Sequence, residues 1–220
     1  LGHRRAKKKL FLLPYPALML PALDSGDKVP SAVNEKLKLI YIGRLEKIKA
    51  VDKLIRSISL LPKELKCLVK LEVYGDGGEF NRLVALTEQL NLNNEIFFHG
   101  LIKSDEVADA YNGADVFILP SNFEPWGVVV NEAMSAGIPV VCPYWIGACA
   151  DLIIDGKSGY ILDDNSPEAL AGGIKKVIQD REKLKVIGAA AADIVRDGPW
   201  NNDAVTQRVL QLLDIEHGET

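Results

Sequence analysis

Two rhythms of apolar and polar residues alternate along this chain, and the switch between them recurs through most of its length. Short runs rich in β-branched and aromatic residues fall at 37–42, 69–74, 96–98, 115–119, 138–142 and 160–162, and these predict buried strands. Between them the apolar spacing changes to that of one helix face. Residues 51, 54, 55, 58 and 61 mark a helix stopped by Pro62, and Phe80, Leu83, Val84, Leu86 and Leu90 mark the next. Ser104 reads as the cap of a helix to about residue 112 that turns Val107, Ala108 and Tyr111 inward. The segment 128–136 has helical length and ends at Gly137. Ser166-Pro167-Glu168 opens a helix to about residue 179, followed by helices at 181–196 and 203–213. Strands alternating with helices predict an α/β fold, a parallel sheet of about six strands with helices on both faces. No internal repeat or low-complexity tract interrupts the pattern.

Composition narrows the function classes. The 220 residues are 48% hydrophobic, enough for a substantial core, and the net charge of -4 offers no general electrostatic case for nucleic acid. Cys67, Cys142 and Cys149 show no metal spacing and read as reduced core thiols, which points to a cytoplasmic protein without disulfides. His3, His99 and His217 are scattered, and no Asp-x-Asp pair is present to hold a divalent ion, so no metal is expected. The first residues differ in character. A basic segment at 3–9 precedes apolar residues at 10–13, but Pro14, Pro16 and Pro21 break the run far short of a membrane span. Residues 1–30 therefore read as a linker or hinge, against the alternative of a patch that associates peripherally with the inner face of a membrane. The chain begins with Leu, which reads as a fragment whose true start lies upstream.

In an open parallel sheet, ligands bind beyond the carboxyl ends of the strands, so the residues there are the ones to weigh. Arg44 follows the first strand and Lys49 lies in the same loop. They make either a clamp on a diphosphate or two solvated loop charges, and spacing alone does not separate these. Residues 114–137 form a strand, a polar turn and a helix, an arrangement that aims free N–H groups and the positive helix end at an anion. This segment holds Glu124 and Glu132. Were it helical throughout, the two carboxylates would stand ~12 Å apart, comparable to a diphosphate bracketed by two sugar rings. Glu132 with Asn131 and Ser135 forms the polar face of an otherwise apolar helix, so an ordinary exposed glutamate is the competing reading. Gly75-Asp76-Gly77-Gly78 reads first as a structural turn and second as a phosphate cradle. His99 reads as packed or hydrogen-bonded, and Trp126 either covers a ligand or pins its loop. No Ser-His-Asp or Cys-His arrangement is readable.

The ordered set Ile42-Gly-Arg-Leu45 with Lys49-Ala-Val-Asp52, Val73-Tyr-Gly-Asp-Gly77, Phe98-His-Gly100, Ala114-Asp-Val-Phe-Ile-Leu-Pro-Ser121 and Glu124-x7-Glu132 resembles the donor-binding half of a GT-B fold glycosyltransferase of the retaining family four. The resemblance runs from about residue 36 to the C-terminus. It implies a Rossmann-like domain over 31–220 that is the C-terminal half of a GT-B fold. It further implies a UDP- or GDP-sugar donor, retaining transfer without a metal cofactor, and an acceptor bound by an N-terminal domain that this chain lacks. By the resemblance, Arg44, Lys49 and Glu124 are catalytic. The donor site comprises Gly43, Arg44, Lys49, Gly75, Leu101, Ile102, Glu124, Pro125, Trp126, Gly127, Val128, Val129 and Glu132, with Glu124 on the sugar and Glu132 on the ribose. Ala50 stands where glycine is usual, and Tyr144-Trp-Ile-Gly-Ala-Cys149 replaces a more glycine-rich loop. The isolated domain is expected to be inactive. Half of a nucleotide-sugar epimerase and a non-catalytic nucleotide-sugar-binding module are the alternatives.

Overall fold

The computed structural model describes residues 35–199 and 201–217. Expectations for residues 1–30 lie outside the described residues. The six strands are β1 (Leu37–Ile42), β2 (Val69–Tyr74), β3 (Ile96–Gly100), β4 (Val116–Ile118), β5 (Val140–Pro143) and β6 (Gly159–Leu162). They form one parallel sheet in the order β3-β2-β1-β4-β5-β6. In the centre, Leu39 pairs with Leu71 on one side and Val116 on the other. The central strands read as nearly unbroken apolar runs because both faces are covered: Leu39, Ile40, Val116, Phe117 and Ile118 are all buried.

Nine helices complete the described residues: α1 (Val51–Ser59), α2 (Lys63–Lys66), α3 (Phe80–Gln89), α4 (Val107–Asn112), α5 (Val128–Ser135), α6 (Gly147–Leu152), α7 (Pro167–Gln179), α8 (Leu184–Asp197) and α9 (Asn202–His217). The apolar positions that announced α1, from Val51 through Leu61, are all buried. This helix packs on α3 and α7, while α5 packs on α6 and α8. Ser166 caps α7 as expected, its Oγ accepting the Ala169 N–H at 3.1 Å.

Two local expectations are corrected, and two short helices were not anticipated. Ser104 caps nothing: residues 104–106 form a turn, the Glu106 carboxylate accepts the Lys103 N–H at 3.3 Å, and α4 starts only at Val107. Two short helices, α2 and α6, occupy stretches that carried no readable periodicity. Cys67 is exposed, so only Cys142 and Cys149 are core thiols. Among the described residues no helix is long and apolar enough to cross a membrane.

The sheet order fixes where a ligand fits. After β3 the chain crosses back past β2 and β1 to place β4 on the other side of β1. Loops leaving β1 and β4 then part in opposite directions, opening a crevice above their carboxyl ends.

Candidate active site

The cleft above β1 and β4 has a volume of about 370 Å³. Gly43 and Arg44 line it from the turn after β1, Lys49 from the same loop, and Glu124 to Val129 from the loop after β4 and the start of α5. The Arg44 backbone is fixed from below. Tyr41, buried in β1, donates its hydroxyl to the Arg44 carbonyl at 2.9 Å. Burial, with the Glu124 charge second, raises the Tyr41 phenol pKa, so this residue serves as a hydrogen-bond donor rather than a proton source.

Lys49 ends a single 3-10 turn, Lys47–Lys49, and the next residue, Ala50, takes up a left-handed conformation with φ 53°. That conformation costs a non-glycine residue ~1–2 kcal/mol, and it explains why glycine is the easier choice at this position. The turn delivers the Lys49 ammonium onto Glu124, and the two side chains form an ion pair with 19% and 17% exposure. Glu124 is not helical. It sits in the loop ahead of α5, which begins at Val128, so the separation expected from a continuous helix does not apply. What approaches the cleft is the amino end of α5, behind Gly127.

Trp126 pins its own loop: its Nε1 donates to Asn131 Oδ1 at 2.9 Å, and its carbonyl accepts the Ala148 N–H at 2.8 Å. The start of α6 thus underlies the loop that bears Glu124. The polar face expected on α5 is different in kind. Asn131 is fully buried beneath Trp126, and Ser135 is buried with its Oγ bonded back to the Glu132 carbonyl at 2.8 Å.

Glu132 is half-buried and lies outside the lining of the cleft. The Tyr111 hydroxyl, on α4, stands 3.4 Å from both Glu132 Oε2 and the Val129 carbonyl and donates its single proton between them. Burial pushes the Glu132 carboxyl above the usual carboxylate range, with the Tyr111 bond pulling the other way. Such a group holds its proton more tightly in the folded state, so its contribution favours folding at low pH and is lost as pH rises through the folded value. Glu132→Gln keeps an acceptor for Tyr111 and removes this dependence. In urea titrations it is expected to match wild type below about pH 4 and exceed it in stability at about pH 7. A variant less stable than wild type at neutral pH would contradict this account.

Residues 26–193 match the family model of glycosyl transferases group 1. The chain belongs to this family. An uncharacterized glycosyltransferase of Methanocaldococcus jannaschii is 31% identical over 180 residues, covering 81% of this chain and 45% of that protein. A D-inositol 3-phosphate glycosyltransferase of Xylanimonas cellulosilytica is 27% identical over 202 residues, covering 89% of this chain and 47% of the relative. The chain therefore spans about half the length of these curated relatives. Among solved structures, sucrose-phosphate synthase from Thermosynechococcus elongatus superposes with a TM-score of 0.79 at 23% identity over 94% of this chain and 52% of that one. Anabaena HepE, solved in complex with UDP and glucose, gives a TM-score of 0.72 at 25% identity over 83% of this chain and 49% of HepE. The sheet is that of a GT-B Rossmann-like domain.

Within this glycosyl transferases group 1 chain, four expected donor-site residues are not among those that line the cleft: Gly75, Leu101, Ile102 and Glu132. Gly75 is packed against the turn after β1, where a β-carbon would lie 1.9 Å from the Gly43 carbonyl oxygen, so its glycine serves the close approach of two turns. Leu101 is 82% exposed in the loop after β3, and Ile102 packs on the core. Conversely, Tyr41, Ile42 and Leu119 line the cleft without having been singled out. Tyr41 carried a signal: it is the one residue with a hydroxyl in an aliphatic strand, two positions before the glycine at the strand end.

Proposed function

We propose that this chain binds a nucleoside-diphosphate sugar in the β1/β4 cleft and supplies the donor half of a retaining glycosyl transfer. The observation that carries the reading is the convergence of Arg44, Lys49, Glu124 and the amino end of α5 on one cleft. Cleavage of the bond between sugar and diphosphate leaves negative charge on the departing phosphate. Arg44 supplies a planar fork of donors, Lys49 a point charge, and α5 its oriented N–H groups, all in place before the charge develops. Glu124 offers an acceptor to a sugar hydroxyl beside them, and Glu132 an acceptor farther along for ribose. The charge is met by protein cations and needs no metal cofactor in this reading. HepE, itself solved with UDP and glucose, supports a UDP-sugar as the first donor to test, with GDP-sugars next. The acceptor is held by a separate N-terminal domain, and the chain alone binds donor without transferring it.

Thermal denaturation with UDP, GDP and their hexose conjugates tests this reading. At a hundredfold excess over Kd the expected stabilisation is ~2.7 kcal/mol, roughly 5–10 °C for a domain of this size. An unchanged melting temperature with every such ligand at millimolar concentration would refute donor binding.

A further inference from the structure

Asn165 lies in the loop after β6, at the edge of the sheet, yet it is only 6% exposed and its side chain reaches the loop that carries Glu124. Its Nδ2 donates to the Pro120 carbonyl at 2.7 Å and to Asn122 Oδ1 at 2.9 Å. Its Oδ1 accepts from Lys53 Nζ at 2.6 Å. Lys53, in the first turn of α1, donates also to Asn122 Oδ1 at 2.8 Å. Asn122 turns its other end toward the β1 loop: Nδ2 donates to the Lys47 carbonyl at 3.3 Å, and the backbone N–H donates to the Ile48 carbonyl at 2.8 Å. Both amide orientations are set by the chemistry, since reversing either would turn an NH2 group toward the lysine ammonium.

The network ties three loops at one point. Lys47 and Ile48 immediately precede Lys49, and Asn122 stands two residues before Glu124. Between these anchors and the ion pair the chain is a single 3-10 turn on one side and irregular loop on the other. Local secondary structure does not hold the two charges at a fixed separation; the network ties together the loops that carry them, with the Trp145 Nε1 bond to the Ser121 carbonyl at 3.2 Å beside it. A site that must be complementary to a diphosphate before it arrives depends on such support.

We propose that Asn122, Asn165 and Lys53 are positioning residues that fix Lys49 and Glu124 relative to one another. None of the three lines the cleft, so they act through the ion pair. The assignment of that pair to diphosphate binding rests on the donor reading above. The test uses Lys53→Met and Asn165→Ala in the full chain, with amide hydrogen exchange and titration calorimetry against UDP, GDP, uridine and guanosine. Exchange at residues 121–124 is expected to quicken about tenfold in both variants while β5 amides keep their protection. Affinity for the nucleoside diphosphates should fall about tenfold with nucleoside affinity unchanged, and the double variant should be no worse than either single one. Should Asn165→Ala fail to fold, Lys53→Met, half-buried on α1, decides the matter alone. Unaltered exchange at 121–124 in a folded Lys53→Met variant overturns the inference, whatever ligand binds. A wild-type chain with no preference for diphosphates over nucleosides instead overturns the donor reading, and the exchange result still decides whether the network holds the pair.

Discussion

Gly127→Ala is expected to lower stability by ~2–3 kcal/mol and to abolish nucleoside-diphosphate binding. Gly127 caps α5 with φ 93° and ψ 63°, a left-handed conformation that already costs alanine ~1–2 kcal/mol. Space is also lacking. A β-carbon there would lie 3.1 Å from Ile146 Cγ2 and 3.2 Å from Glu124 Cγ. Ile146 is fully buried and has nowhere to go, so Glu124 must yield, and with it the partner of Lys49. One methyl group thereby strains the turn that aims the N–H groups of α5 at the cleft, and the loss of diphosphate binding rests on that misalignment rather than on the displaced Glu124 charge. The measurement is a denaturant midpoint at constant m-value, together with calorimetry. Gly172→Ala provides the control. Gly172 is exposed within α7 with nothing within 4 Å of its β-carbon position, so alanine there should raise stability by ~0.5–1 kcal/mol. Equal effects at the two positions would mean that Gly127 is an ordinary helix-end glycine.

Strands β1, β4 and β5 were legible because they are buried on both sides and so read as apolar runs, β2 because apolar and polar residues alternate along it, and α1 because five apolar positions repeat on one face. The failures have physical causes as well. Helices α2 and α6, at four and six residues, are too short for a 3.6-residue period to show. Ser104 has the right chemistry for a cap, but Glu106 supplies a competing acceptor for the turn. Asn131 and Ser135 looked like a solvent face by spacing, whereas each is buried with a partner that spacing cannot reveal, Trp126 in one case and the backbone of Glu132 in the other. In the candidate site, strand-end position and residue chemistry put Arg44, Lys49 and Glu124 among the candidates, while their roles came from the resemblance; the fold brings all three to one cleft. That Lys49 and Glu124 satisfy one another, across 75 residues, is a fact of tertiary packing alone. The same holds for Asn165, which nothing in its local sequence connects to the cleft.

That ion pair leads to the second large effect, opposite in sign for two ligands. Without donor, the Lys49 charge is matched by Glu124, and only part of it is available to an incoming diphosphate. Glu124→Gln removes the counter-charge and keeps the shape, leaving a mostly buried ammonium whose best remaining partner is a phosphate oxygen. UDP or GDP is therefore expected to bind about tenfold more tightly to this variant, a gain of ~1.4 kcal/mol of the size seen for partly buried charge pairs. The sugar conjugate gains less, because the acceptor offered to its hydroxyl has become a weaker one. Lys49→Ala gives the converse: diphosphate affinity falls about tenfold or more while uridine and guanosine bind as before. Calorimetry with nucleoside, nucleoside diphosphate and sugar nucleotide separates these terms in one series. If Glu124→Gln weakens nucleoside and diphosphate alike, the pair is a structural brace, and the balance of charge in the cleft does not govern binding.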